Sequence, residues 1–198
     1  MSQKGTIGKR HKVEANKPHF SSTGGVVTTP KVCVNCPLRL AYDDWLYKGI
    51  GTKMMNKIII VPNPNDEYID IILNEFPDIL EDTYITPFIK CKESDTIPLD
   101  DKIIKRCLHI LSLECRFDGI ADIMILGDAA RYTFGIDNIS VALNKLIIAQ
   151  KPKRRCCFNY DPLIKYKDTN KFNTFKEYLT KWIYATKTKI FDYDLQIL

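Results

Sequence analysis

The sequence predicts an α/β fold of three layers, α/β/α, built on a central, mainly parallel four-stranded sheet. Two observations carry the prediction. Short apolar runs rich in β-branched residues alternate with segments of helical periodicity, the pattern of a parallel sheet covered on both faces. The runs ending at Val61 and Leu126 are also closed by Pro62-Asn63 and by Gly127, residues that stop a strand and turn the chain. No internal repeat interrupts the series.

The first strand is Lys57-Ile58-Ile59-Ile60-Val61, stopped by Pro62-Asn63-Pro64-Asn65. From Asp66 to Phe76 the apolar residues Ile69, Ile72, Leu73 and Phe76 recur at helical spacing, and Asp66 is the expected cap. Thr83 to Lys90 is the second strand and delivers Cys91; a loop containing Pro98 leads to a helix from Asp100 to about Glu114 that carries Cys107. Asp122 to Gly127 is the third strand with its turn, followed by a short helix from Asp128 to Phe134 ended by Gly135. Arg154 to Phe158 fits a fourth strand, and Lys171 to about Ala185 an amphipathic helix.

Three segments follow from these elements: a basic extended arm over residues 1–31, a folded domain over 32–186, and a tail over 187–198 that reads equally as an edge strand or a docking segment. The arm is rich in Ser, Thr, Gly, Lys and His and lacks apolar periodicity. Its Lys4, Lys9, Arg10, Lys12, Lys17 and Lys31 stand against Glu14 alone, a surplus equal to the formal +5 of the whole chain. The remainder is close to balanced, so the folded body lacks the strongly cationic surface of a protein that grips nucleic acid with its body. A shorter basic run lies at Lys151, Lys153, Arg154 and Arg155. No stretch is long and apolar enough to span a bilayer, and polar residues follow Met1 where a secretory signal would be apolar, so an intracellular, cytoplasmic protein without a membrane partner is expected.

Seven cysteines in a reducing compartment point away from a disulfide framework. Four of them, Cys33 and Cys36 as a C-x2-C pair with Cys91 and Cys107 downstream, favour ligation of a metal by thiolates; the competing reading is core thiols without a metal. Cys115, Cys156 and Cys157 read as core or surface thiols.

The order of signals resembles a known family. Cys33-Val-Asn-Cys36-Pro-Leu, then Tyr84-Ile-Thr-Pro87-Phe-Ile-Lys90-Cys91, then Cys107 sixteen positions later, then Ile125-Leu-Gly127-Asp128-Ala-Ala130 are similar, in the same order, to the iron–sulfur (family 4) uracil-DNA glycosylases. The resemblance implies a glycosylase-like fold and a [4Fe–4S] cluster on Cys33, Cys36, Cys91 and Cys107, with zinc the alternative for the same all-thiolate set.

At the addresses where that family keeps its chemistry, this chain departs from it. An acidic residue near the reacting sugar is replaced by Pro62, beside Asn63, and the loop that stacks on the flipped base is missing, since Asn65 runs straight into a helix. Pro87 stands where an Asn pairs with the uracil edge. In Tyr160-Asp161-Pro162-Leu163, Asp161 replaces the His that supports the leaving group, with Asn159 the other candidate for that position. Neither proline has a side-chain donor, acceptor or ionisable group, and an anion beside a departing base anion opposes the reaction.

The expectation is therefore a glycosylase fold without glycosylase activity. It would be a nucleic-acid-associated or scaffolding subunit of a replication or transcription complex, with DNA favoured over RNA and protein subunits as partners. Lys9, Arg10 and Lys12 of the arm and Lys153, Arg154 and Arg155 are its candidate contacts. Abundant Ile, Lys, Asn and Tyr suit an AT-rich genome such as that of a virus or phage, whose protein would work in the host cytoplasm. The alternative is a divergent base glycosylase in which Asp161, Asp66 or Glu67 supplies the carboxylate. His11, His19 and His109 have no zinc or catalytic spacing, and no phosphate loop is present.

Overall fold

Strand β2 (Lys57–Val61) is buried along nearly its whole length because both of its faces are covered. Ile58 and Ile60 point to one side and Ile59 and Val61 to the other, following the two-residue period of a strand. This is a computed structural model, and it describes residues 31–41, 47–51, 57–92, 95–115, 121–143, 145–150, 153–188 and 194–197.

Parallel to β2 lie β3 (Tyr84–Pro87) on one side and β4 (Ala121–Leu126) on the other, and β6 (Lys153–Asn159) runs parallel beyond β4. These are the four strands expected from the sequence, in the order β3-β2-β4-β6. The sheet is wider than four strands, which corrects that expectation. A two-residue strand, β1 (Ile50–Gly51), adds antiparallel to β3; β5 (Lys145–Gln150) adds antiparallel to β6; and β7 (Asp194–Ile197) adds parallel to β5. The result is a mixed, mostly parallel sheet, in which Asp194–Ile197 of the tail form an edge strand.

The helices divide between the two faces. On one side α2 (Asp66–Glu75) and α5 (Thr169–Thr188) pack Ile69, Ile72, Phe175, Leu179 and Trp182 onto Ile59, Val61, Met124, Leu126 and Cys157. On the other, α3 (Asp101–Glu114) and α4 (Asp128–Phe134) pack Ile103, Cys107, Leu111, Ala129 and Ala130 onto Ile58, Ile60, Ile123, Ile125, Cys156 and Phe158. Strand register explains the sorting: Ile58 and Ile60 sit opposite Ile123 and Ile125, which sit opposite Cys156 and Phe158, so one face is continuous across three strands. A short helix, α1 (Pro37–Ala41), follows the cysteine pair.

Two details differ from the sequence reading. Asn65, not Asp66, caps α2, accepting from Glu67 N at 2.9 Å, which places Asp66 and Glu67 in the first turn where their charges oppose the positive helix end. Helix α5 also runs through the boundary expected at residue 186. Among the described residues no helix is long and apolar enough to cross a membrane.

Candidate functional site

After β2 the chain turns to α2 on one face, and after the neighbouring β4 it turns to α4 on the opposite face. Adjacent parallel strands whose connections diverge leave a crevice at their carboxyl ends, the usual ligand position in open α/β sheets. Here that crevice is a cavity of about 310 Å³ whose wall includes Pro62, Asn63, Tyr68, Asp128, Tyr132 and Asp161. A second cavity of about 360 Å³ adjoins it, with Asp128 and Asp161 lining both.

Asp161 is the best-built group in the crevice. Its Oδ1 accepts from Leu163 N at 2.7 Å, capping the 3-10 turn Pro162–Tyr166, and its Oδ2 accepts from the Tyr68 hydroxyl at 3.2 Å. Gly127 makes the approach possible: at φ +51°, ψ −132°, a Cβ there would lie 2.8 Å from Asp161 Cβ, so both backbone conformation and space require glycine. Burial pushes the Asp161 carboxyl above its ordinary range and the Asp128 charge adds to this, against the two hydrogen bonds and Lys167.

The other residues singled out from the sequence fall as follows. Pro62 and Asn63 share the crevice with Asp161. Pro87 is buried one strand away, beside Val61 in register, and lies outside the cavity wall; past it, Phe88 N and Ile89 N bond Val61 O and Pro62 O at 2.8 and 3.0 Å. Asn159 is fully buried and committed, its amide donating to Phe175 O at 2.9 Å and its Oδ1 accepting from Tyr160 N at 2.8 Å. Asp66 and Glu67 line a separate opening with Asn63 and Lys92.

The basic residues of β6 are not beside this crevice. Arg154 pairs in register with Ala121 at the start of β4, whereas Asn159 pairs with Leu126 at its end, so these residues sit at the opposite, amino end of the parallel strands. Arg154 is buried and donates to Cys115 O at 2.9 Å; Arg155 pairs with Asp122, its Nη2 2.6 Å from Oδ2. Both guanidinium groups are engaged inside the fold. Lys153 opens the strand, and Lys9, Arg10 and Lys12 lie outside the described residues.

Cys33, Cys36, Cys91 and Cys107 are all buried and come from four separate points: the 3-10 turn Lys31–Cys33, the residue before α1, the residue region after β3, and α3. Asn35, in the left-handed region at φ +63°, folds the C-x2-C segment back so that Cys36 N bonds Cys33 O at 3.1 Å. Arg106 Nη1 ties that segment to α3 through Asn35 O at 3.1 Å. The four thiols act on one another electrostatically. Burial, then the charges of Cys107 and Cys36, push Cys33 up to about 11; burial, then Cys107, Cys36 and Cys33, push Cys91 up to about 12. Burial also raises Cys107, against a hydrogen bond from the Lys90 backbone.

Buried thiols of this kind stay protonated unless a cation draws off their protons, and a thiophilic metal does so. In kind, number and burial the donor set fits an all-thiolate centre. No group of three or more His, Cys, Asp or Glu side chains among the described residues is arranged to hold a metal ion, so the fit is one of chemistry and neighbourhood.

Sequence reasoning missed the polar network next to these thiols. Lys90 is 1% exposed and its ammonium pairs with Glu114 on α3. The Glu114 carboxylate also accepts from the Tyr84 hydroxyl, from Thr86 Oγ1 at 3.1 Å and from Gly49 N at 3.3 Å, while Lys90 donates to Thr86 Oγ1 at 2.6 Å. Burial pulls Lys90 below its ordinary value. Burial pushes Glu114 the other way, but Lys90, Tyr84 and Gly49 together hold its carboxylate below the ordinary range. The position of Lys90 directly before Cys91 was the available signal. Tyr68, Asp128 and Tyr132 were also missed, because only the fold brings them together.

A scan against protein-family models and a search of curated proteins both find no match to this chain. The class that fold and crevice define is an α/β protein with a mixed, mostly parallel sheet and a polar cleft at its topological switch point.

Proposed function

We propose that the chain is a catalytically inactive relative of the iron–sulfur uracil-DNA glycosylases. On this reading it serves as a nucleic-acid-associated or scaffolding subunit of a replication or transcription complex, viral in origin, and its four thiolates hold a [4Fe–4S] cluster, with zinc as the alternative. The observation that carries the reading is the content of the crevice. Pro62 supplies no acid or donor where a water would be activated, and Asp161 places negative charge, with Asp128 beside it, where a leaving base anion would need stabilisation. The three-layer arrangement of helices about the sheet is consistent with a glycosylase-like fold.

With Arg154 and Arg155 engaged within the fold, the basic arm and Lys153 remain the candidate contacts with DNA. The test pairs base release with binding. No free base should leave uracil- or hypoxanthine-containing oligonucleotides, while DNA should bind with strong salt dependence and lose that binding when residues 1–31 are deleted. Absence of both DNA binding and a co-purifying replication or transcription protein overturns the reading.

A second reading has one specific observation in its favour. Asp161 is a partly buried carboxyl with a raised pKa in a cleft, the profile of a general acid or base. Asp66 and Glu67 line a different opening and are exposed. Base release that disappears in Asp161→Ala would establish this alternative.

A further inference from the structure

We propose that the buried Lys90–Glu114 pair positions two of the four thiols for a common metal centre, making Lys90 and Glu114 positioning residues for that centre. The inference rests on the metal-bound reading of the cysteines. It is carried by the way one residue is held at two points, its ammonium and its carbonyl. The Lys90 side chain is locked to Glu114 and Thr86 in the interior between β3 and α3. Its carbonyl accepts from Tyr47 N at 2.7 Å. Its carbonyl carbon is joined to Cys91.

The consequence is geometric. Cys91 follows the end of a strand, in a loop with no regular structure to hold it, whereas Cys107 is fixed by α3. Glu114 lies two turns further along α3 from Cys107, so a bond between Glu114 and Lys90 clamps the Cys91 loop to the helix that carries its partner thiol. Tyr84, Thr86 and Gly49 N hold the carboxylate still and saturate it with donors. Groups that orient metal ligands in this manner typically change metal affinity by roughly 10–100-fold when removed.

The experiment uses the full chain purified with its metal, with Glu114→Gln as the variant that keeps side-chain size and most hydrogen bonds. The probe is the rate of metal release to an excess of an iron chelator, or of a zinc chelator if zinc is found, followed optically. Leu179→Ala is the control: it empties space in the opposite core, under α5, and lowers stability without touching the thiols. Release from Glu114→Gln should be about tenfold faster or more, and release from Leu179→Ala should stay within about twofold of the parent. Equal acceleration in the two variants, or none in Glu114→Gln, overturns the positioning role. A parent protein that carries neither iron nor zinc overturns the metal reading itself, a separate outcome.

Discussion

Replacing Glu114 with Leu should be among the most damaging single changes this fold can suffer. The substitution leaves the Lys90 ammonium in an interior where it is 1% exposed, with Thr86 Oγ1 its remaining partner of those that bond it now. Breaking a buried ion pair by removing one partner costs about 3–5 kcal/mol. The Tyr84 hydroxyl and the Gly49 N–H also lose their acceptor, each at about 1–3 kcal/mol. Against a total stability of about 5–15 kcal/mol for a domain, the sum approaches global unfolding. Removing the second charge as well should restore much of the loss, because apolar groups of similar volume in place of a buried pair are often neutral. The Lys90→Met/Glu114→Leu double variant should therefore be more stable than Glu114→Leu alone, and adding Tyr84→Phe should recover a further part. Urea unfolding followed by circular dichroism measures this, with midpoints compared at unchanged slope. A loss below about 1 kcal/mol in Glu114→Leu, or a double variant that merely sums its single costs, refutes the picture of one coupled buried network.

Two further outcomes follow from the crevice and from the opposite end of the parallel strands. The folded state raises the Asp161 pKa, so between the ordinary carboxylate value and the raised one it binds more protons than the unfolded chain. Stability contributed by this group is thus greatest at low pH and falls as pH rises through that window. Asp161→Asn, which keeps an acceptor for Leu163 N, should be more thermostable than the parent at neutral pH and should flatten the slope; a lower melting temperature at neutral pH would contradict this. Arg155→Ala strands the buried Asp122 carboxylate and should cost about 1–3 kcal/mol in urea unfolding while leaving DNA affinity unchanged; a weakened affinity with intact stability would return Arg155 to the nucleic-acid surface.

The two central parallel strands, β2 and β4, were legible because each is an apolar run ended by a turn residue. Lys57–Val61 is stopped by Pro62, and Ala121–Leu126 by Gly127. The outer strands differ. β1 has two residues, too few for any period to show, whereas β5, Lys145–Gln150, carries the apolar run Leu146-Ile147-Ile148-Ala149, a signal of the same kind as that of β2 that the sequence reading passed over. In the crevice, Pro62, Asn63 and Asp161 could be named from motif order, but Tyr68 and Asp128 reach Asp161 only through the sheet, and Gly127 reveals its purpose only once Asp161 is seen against it. Arg154 and Arg155 show the reverse failure. A charge run reads as surface, and nothing in the sequence tells that one guanidinium points to the Cys115 carbonyl and the other to Asp122.

The measurement that bears most directly on the central claim is the metal and sulfide content of the full chain purified without oxygen, with its visible spectrum, for the parent and for Cys33→Ser, Cys91→Ser and Cys107→Ser. The account predicts a brown protein holding iron and acid-labile sulfide in equal amount, with each substitution lowering both. A colourless parent without iron or zinc, or substitutions that leave the metal content unchanged, would contradict it.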